Sequence, residues 1–250
     1  MGEGEDALQA GREPRIWRLH SDAVNSAFLR RVLSGRHFRS ALKTDLFDET
    51  VTDGIVPVIR ELADSVTGID FSSDVVERAQ RRDPRLVTRT ADIRRLPFDD
   101  GSFDLVVSLS TIDHLESLEQ MQEAVNELAR VLTPDGTLVL TVDNKVNPVI
   151  AVRGLLPDRT MRRLGLVAYP VGPSVGPRRL DEFARRAGLQ PHVREALMHC
   201  PRLPAVAIAR RIKSSRSEAR FLRTARRFES LDRVPSRYLT GYFAAVAASR

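Results

Sequence analysis

The sequence has a single cysteine and no long hydrophobic run. Cys200 alone excludes an internal disulfide and a zinc site built from several cysteines, so a reducing setting is expected. The longest apolar stretches, residues 203–209 and 243–248, are far shorter than a bilayer requires. Residues 1–12 are acidic and polar and lack the basic and apolar regions of a signal peptide. We therefore predict a cytoplasmic protein without a membrane partner.

Aromatic residues are also scarce, at 6% of the chain, while the net charge is +6. The net positive charge is confined to residues 178–250, which hold 17 Lys or Arg against 6 Asp or Glu. The rest of the chain holds 22 Lys or Arg against 27 Asp or Glu and is therefore net negative. Aromatic side chains that could stack on bases are few among these arginines. We therefore predict no nucleic-acid partner and interpret most of the arginines as a solvated surface.

The hydrophobic pattern alternates between short apolar strands and amphipathic helices. This alternation is typical of βαβ units and predicts an α/β fold, a Rossmann-like, mostly parallel sheet of seven strands with helices on both faces. The expected turn at residues 134–136 (Pro-Asp-Gly) leads into the fifth strand. The strands are predicted at residues 39–45, 65–70, 86–90, 103–109, 137–142, 190–196 and 242–248. The helices are predicted at 15–34, 52–64, 72–80, 118–132, 179–187 and within 202–230.

The same pattern divides the chain into a helical cap, residues 1–36, and a main domain, residues 37–250. Within the main domain, prolines and glycines interrupt a cover segment at 145–177, and basic helices form an insertion at 201–233 before the last strand. Ligands of such sheets bind outside the carboxyl ends of the strands. The loops that follow the first five strands should therefore share one crevice.

Three runs carry a resemblance to a known family. Residues 68–72 read GIDFS, 91–104 read ADIRRLPFDDGSFD and 132–138 read LTPDGTL. At these spacings they resemble class I S-adenosylmethionine-dependent methyltransferases, and residues 37–250 would then be the methyltransferase domain. The resemblance implies that Asp70 holds the cofactor ribose and Asp92 the adenine amino group, while Phe71 and Ile93 pack on the purine. It also places Ala91 and Ser108 against the cofactor.

Carboxylates suit these roles because they accept paired hydrogen bonds from hydroxyls and a single one from an amine. The alternative for either acid is that it only caps the helix or turn that follows its strand.

The family's glycine-rich first loop is missing. Residues 41–50 read ALKTDLFDET, which resembles a variant with Lys-Thr-Asp-Leu-Phe and implies that Lys43, Thr44, Asp45 and Phe47 contact the cofactor. Two alternatives remain open. In one, the loop takes a different path and its acids meet the ammonium and sulfonium of the cofactor. In the other, the bulky loop blocks the cofactor and the chain is a non-catalytic relative.

Residues 108–114, SLSTIDH, follow the fourth strand and should face the transferred methyl group. His114 is the best candidate for a general base because a histidine titrates near neutral pH. Asp113, which precedes it in the sequence, is the second predicted catalytic residue. Alternatively, His114 caps the next helix or bonds Asp113.

Other polar residues offer weaker candidates. Asp143, Asn144 and Asn147 follow the fifth strand, where they would contact an acceptor or form turns. His20 and Asp22 are interpreted as surface residues of the first helix, and His199 is not expected to reach the crevice. The acids around the crevice could supply magnesium ligands, but their spacing in the sequence matches no diagnostic metal-binding motif, so no metal is predicted.

Taken together, the residues and the resemblance predict transfer of a methyl group from S-adenosyl-L-methionine to an oxygen or nitrogen of a small molecule. A hydroxylated natural product or a sugar derivative would suit such a site. The alternative is a non-catalytic scaffold or partner protein that keeps the fold. Whether the chain forms a homodimer is left open.

Overall fold

The computed structural model describes residues 15–154 and 172–250, and this part of the chain is built around a sheet of seven strands. The strand order is β3-β2-β1-β4-β5-β7-β6, and β7 runs antiparallel to both β5 and β6 while the other pairs are parallel. The predicted Rossmann-like sheet is therefore confirmed. Its strands are β1 (Phe38–Thr44), β2 (Ala63–Asp70), β3 (Val87–Thr90), β4 (Phe103–Leu109), β5 (Leu132–Asp143), β6 (Gln190–Leu197) and β7 (Phe243–Ser249).

Helices cover both faces of this sheet because side chains of the central strands alternate between two cores. The described helices are α1 (Arg15–Val32), α2 (Val56–Leu62), α3 (Ser73–Arg82), α4 (Leu118–Arg130), α5 (Pro148–Arg153), α6 (Pro177–Arg186), α7 (Arg202–Ala209), α8 (Ser215–Phe228) and α9 (Arg237–Thr240). Leu105, Val107 and Val139 face the core beneath α1, α2 and α3, whereas Val106, Leu138 and Leu140 face the core beneath α4 and α6. In the described part of the chain, none of these helices could span a membrane.

Most predicted elements agree with the observed ones to within a few residues, with one clear difference. β5 begins at Leu132, before the turn predicted at residues 134–136. Its regular pairing with β4 starts at Thr137, as predicted: Phe103 pairs with Leu132 and Leu105 with Thr137, so the register shifts across residues 133–136. Of the predicted cover segment, residues 155–171 lie outside the described part of the chain.

The insertion before β7 consists of α7, α8 and a 3₁₀ turn at Glu229–Arg233, and α1 packs directly on it. Trp17 lies in a small core with residues of this insertion. His20 is fully buried, and its Nε2 lies 3.1 Å from Glu229 Oε1. The interpretation of His20 as a surface residue is therefore wrong. Its helical face is covered by an insertion whose position could not be read from local periodicity.

Glu229 connects α1 to the turn after β6. Its Oε2 accepts a hydrogen bond from the backbone N–H of His199 at 3.0 Å, and its Oε1 accepts one from that of Cys200 at 3.2 Å. Burial alone would raise the pKa of Glu229, but these donors and His20 hold it below its usual value. The carboxylate is therefore charged and fixes a turn in which Met198 has a positive φ of 63°.

We expect Glu229→Ala to lower the free energy of unfolding by about 2–4 kcal/mol, because it leaves buried N–H donors without acceptors. Urea denaturation followed by circular dichroism measures this. Glu218→Ala is the matched control on α8, since Glu218 pairs with the exposed Arg15 and its loss should cost less than about 1 kcal/mol. Equal losses in both variants would contradict the role given to Glu229.

Candidate functional site

A buried ion pair organises the loop after β1, residues 45–55, which we call the β1 loop. Lys43 Nζ lies 2.8 Å from Glu49 Oε2, and both residues are only 5% exposed. The same ammonium donates to the backbone carbonyl of Asp45, and Glu49 Oε1 accepts from the N–H of Ile55 at 3.1 Å. Lys43 is thus engaged within the loop and forms its internal support.

The loop turns without a glycine at its start. Asp45 adopts the left-handed conformation, with φ of 65°, and its carboxylate accepts from the N–H of Phe47 at 2.8 Å. Aspartate tolerates this conformation better than most residues because its short side chain bonds the nearby backbone. An aspartate therefore occupies a backbone conformation that glycine usually takes.

Two glycines outside the start of the loop make room for its bulk. Leu46 is fully buried and packs over β2, where a Cβ on Gly68 would come within 2.6 Å of Leu46 Cδ2. Gly54 has φ of 55°, and a Cβ there would overlap the Glu49 carboxylate. The side chains of Leu46 and Glu49 are therefore directed into the protein instead of filling the crevice.

Asp70 lies at the end of β2, as predicted, with both carboxylate oxygens engaged. Oδ2 accepts from the N–H of Leu46 and Oδ1 from that of Ser72, each at 2.9 Å. Burial raises the pKa of Asp70, and the neighbouring Asp45 carboxylate raises it further. The pair thus concentrates negative charge where β1 and β2 end. Asp70 also contacts the residue that caps α3, which fits the capping alternative as well.

Asp92 follows β3 and is paired with a neighbour. Arg94 binds its carboxylate through Nε at 3.0 Å and Nη2 at 2.6 Å, which holds the pKa of Asp92 below its usual value. The N–H of Ala91 donates to the Asp70 carbonyl at 2.9 Å, which joins the two strand ends. Phe71 follows the end of β2 and is 79% exposed, whereas Ile93 is only 8% exposed and belongs to the core.

Hydroxyl groups connect the ends of β1 and β4. Thr44 Oγ1 donates to Ser108 Oγ at 2.8 Å and lies 2.9 Å from Thr111 Oγ1. Ser108 and Thr44 are almost completely buried. They therefore fix the distance between the two strand ends and leave little surface for a ligand.

Asp113 and Asp143 form a buried pair of carboxylates after β4 and β5. Asp113 Oδ2 accepts from Ser110 Oγ and from the N–H of Asp143, each at 3.1 Å, while its Oδ1 is buried without a hydrogen-bond partner. Burial, and then the Asp113 charge, raise the pKa of Asp143 to about 6. Arg153 pairs with Asp143 and partly offsets this repulsion.

His114 is exposed beside this pair, and its charge acts on Asp143. It ends the 3₁₀ turn Ile112–His114, whereas Asp113 in the middle of that turn is 2% exposed. The structure thus brings both predicted catalytic residues to the carboxyl edge of the sheet, with the histidine outward and the aspartate inward.

Three other polar residues have structural partners instead of open surface. The Asn144 and Asn147 amides both donate to the Gly241 carbonyl, at 2.9 and 3.3 Å, and Asn147 also caps α5. His199 is 3% exposed and lies 2.7 Å from Thr240 Oγ1 through Nδ1. For the two asparagines the turn-forming alternative therefore holds.

Sequence reasoning missed Arg18 and Arg153 and underestimated Asp22. Arg18 pairs with Asp48 of the β1 loop, and Asp22 accepts from Thr52 Oγ1 at 2.8 Å. Their i, i+4 spacing on α1 was the available signal, since it places both on one helical face. Asp22 is half-buried, and burial raises its pKa to about 6, so the side chain is less exposed than its interpretation as a surface residue implies. Across residues 15–154 and 172–250, no group of three or more His, Cys, Asp or Glu is arranged to hold a metal ion.

Parts of the chain are similar in sequence to known methyltransferases. Residues 52–140 match the family described as a methyltransferase domain. A 27-O-demethylrifamycin SV methyltransferase from Amycolatopsis mediterranei is 32% identical over 188 residues, which cover 68% of this chain and 65% of that protein. A demethylmenaquinone methyltransferase from Beutenbergia cavernae is 34% identical over 137 residues, which cover 54% of this chain and 50% of that protein. The chain thus spans less than two thirds of the length of these relatives.

The fold is shared with solved methyltransferases. The crystal structure of geranyl diphosphate C-methyltransferase from Streptomyces coelicolor, in complex with Mg²⁺, geranyl-S-thiolodiphosphate and S-adenosyl-L-homocysteine, has a TM-score of 0.61 at 15% identity. The match covers 91% of this chain and 76% of that one. The chain therefore shares the class I methyltransferase fold, and the family that its residues 52–140 match is one of methyltransferase domains that use S-adenosylmethionine.

We expect Lys43→Met to lower the free energy of unfolding by about 3–5 kcal/mol, because it leaves the Glu49 carboxylate buried without its counter-charge. The double variant Lys43→Met/Glu49→Gln removes both charges and should recover part of this loss. Urea denaturation of the three proteins measures both effects. If the single and double variants lose the same stability, the ion pair is not what holds the β1 loop.

Proposed function

We propose that this protein transfers a methyl group from S-adenosylmethionine to a small-molecule acceptor. The observation that carries the proposal is the pair of carboxylates at the ends of β1 and β2. Asp70 is held by two backbone N–H groups, and Asp45 lies close enough to raise its pKa. A cation near this pair relieves the repulsion, and S-adenosylmethionine carries both an ammonium and a sulfonium.

The chain's own residues fit this cofactor unevenly. Asp70 retains lone pairs for the ribose hydroxyls, while Asp45 faces the cationic end of the cofactor. At the adenine end, Phe71 offers an exposed ring, but Asp92 accepts an amino group only by sharing its carboxylate with Arg94. The other residues predicted to bind the cofactor then act mainly by fixing the walls of the site; they are Lys43, Thr44, Phe47, Ala91, Ile93 and Ser108.

The bound cofactor supplies an already activated methyl group, so the protein's remaining task is to align the acceptor and exclude water. In this proposal His114 accepts the proton of an acceptor hydroxyl as the hydroxyl oxygen is methylated, or removes the proton of an acceptor ammonium beforehand so that the nitrogen has a free lone pair. Asp113 orients that loop through Ser110 and the N–H of Asp143.

A cavity of about 550 Å³ between α1 and the insertion supports a small-molecule acceptor. Its volume falls within the usual range for ligand pockets. Leu197 on its wall pairs with Phe243, which pairs with Asp143, so the three lie in one row across the sheet. The helix α1 and the insertion would then provide the acceptor pocket. The relatives named for rifamycin and menaquinone substrates also support a hydroxylated acceptor.

The second candidate is a fold-retaining scaffold without catalysis. The Arg94–Asp92 pair favours it, since an occupied carboxylate is a poorer partner for adenine. The buried Leu46 disfavours it, because the bulkiest aliphatic residue of the loop does not block the crevice. Cofactor binding by the purified protein separates the two candidates.

We expect isothermal titration calorimetry to detect S-adenosylhomocysteine binding to the wild-type protein. Asp70→Ala should weaken this binding by about 1.5–3 kcal/mol, the range for a hydrogen bond to a charged group. Asp74→Ala, on the exposed first turn of α3, is the control that should bind like wild type. An absence of binding at millimolar ligand would favour the scaffold.

We expect His114→Ala to lower methyl transfer about a hundredfold if the histidine is the base, with S-adenosylhomocysteine affinity unchanged. The assay follows radiolabelled methyl transfer to phenols, quinols and sugar hydroxyls. His37→Ala is a histidine control at the opposite end of β1, where His37 pairs with Asp64. An unchanged rate for His114→Ala would remove it from the catalytic residues.

A further inference from the structure

The N-terminal helix α1 contacts the β1 loop at two consecutive turns. Arg18 forms an ion pair with Asp48, and its guanidinium lies 4.7 Å from the centre of the Phe47 ring. One turn later, Asp22 Oδ2 accepts from Thr52 Oγ1 at 2.8 Å. These contacts reach both sides of the 3₁₀ turn Asp48–Thr50, so the helix holds the outer side of the loop.

The other side of α1 is fixed independently of the loop. Trp17 is 2% exposed and lies in a core with Cys200 and Ala225. His20 is bonded to Glu229, and Arg15 Nη2 lies 2.9 Å from Glu218 Oε1. The helix therefore does not depend on Arg18 and Asp22 for its position. It provides a rigid support to which the loop is attached.

The loop needs such support because its conformation is strained. Asp45 has a positive φ, and residues of this kind keep their conformation only when their surroundings enforce it. Lys43 and Glu49 hold the loop from the inside. A loop that is already ordered binds a ligand more tightly, since less conformational entropy is lost on binding.

We propose that Arg18 and Asp22 are positioning residues for the cofactor: they hold the β1 loop in its binding conformation, so that docking of the loop on α1 and cofactor binding strengthen each other. This inference rests on the proposed function. It assigns to the N-terminal helix a part in cofactor affinity although neither residue needs to contact the cofactor.

The arrangement also joins the two ligand sites of the protein. Asp22 contacts the β1 loop on one side and lines the 550 Å³ cavity on the other, where Glu229 of the insertion forms part of the opposite wall. A loop ordered by the cofactor therefore fixes a residue of the proposed acceptor pocket.

The test compares S-adenosylhomocysteine binding to wild type and Arg18→Met by isothermal titration calorimetry. Arg18→Met keeps an unbranched apolar stem but removes the guanidinium, and we expect the dissociation constant to rise about 5- to 50-fold. Arg30→Met is the matched control, since Arg30 is on the same helix and pairs only with the exposed Glu61 at 2.7 Å. Its dissociation constant should stay within about twofold of wild type.

Hydrogen exchange provides a second readout that a general loss of stability would not reproduce. In Arg18→Met, amides of residues 45–55 should exchange faster while those of α1 keep their protection, and bound S-adenosylhomocysteine should restore slow exchange in the loop. Faster exchange throughout α1 would instead show that Arg18 holds the helix, which would overturn the inference.

Asp22→Ala and Thr52→Val complete the test if Arg18→Met does not fold. Each substitution should weaken S-adenosylhomocysteine binding. The double variant should lose no more affinity than the single variant with the larger loss, because both substitutions remove the same hydrogen bond. Wild-type binding with unchanged affinity in Arg18→Met, or in Thr52→Val, would overturn this inference and leave the proposed function intact. No binding to wild type would refute the proposed function itself.

Discussion

The ion pair between Lys43 and Glu49 determines the shape of the candidate site. It is buried, and a charge removed from water is tolerated only with a well-placed partner, so the two residues constrain each other strongly. Because Lys43 also bonds the Asp45 carbonyl and Glu49 the Ile55 N–H, the pair spans the β1 loop from its start to its end. The loop path that brings Asp45 beside Asp70 depends on this connection.

The pair replaces one way of making a turn with another. A glycine loop turns sharply because its backbone is unhindered, at a cost in conformational entropy. Here the turn is made by Asp45 in a left-handed conformation and by side chains that are buried below it. The space is provided by Gly68 on β2 and Gly54 at the end of the loop. The missing glycines are thus compensated by glycines at two other positions.

The fold was predictable because strand and helix periodicity is local, and the acids at the strand ends followed from where β2 and β3 stop. What periodicity did not predict were contacts between distant segments. The burial of His20 depends on Glu229, which is 209 residues away in the sequence. Asp22 is polar and was interpreted as a surface residue, so its contact with Thr52 was not predicted. Asp92 and Arg94 are only two residues apart in sequence, yet the effect of their pairing on the adenine role of Asp92 required side-chain geometry.

The central claim is that a glycine-free loop, held from inside by Lys43 and Glu49, forms the cationic end of a cofactor site. A crystal structure of the protein soaked with S-adenosylhomocysteine tests it most directly. The account predicts that the ammonium of the ligand lies beside Asp45 and the ribose beside Asp70, with the Lys43–Glu49 pair unbroken. Ligand bound elsewhere, or a Lys43 released from Glu49 to meet the ligand, would contradict it.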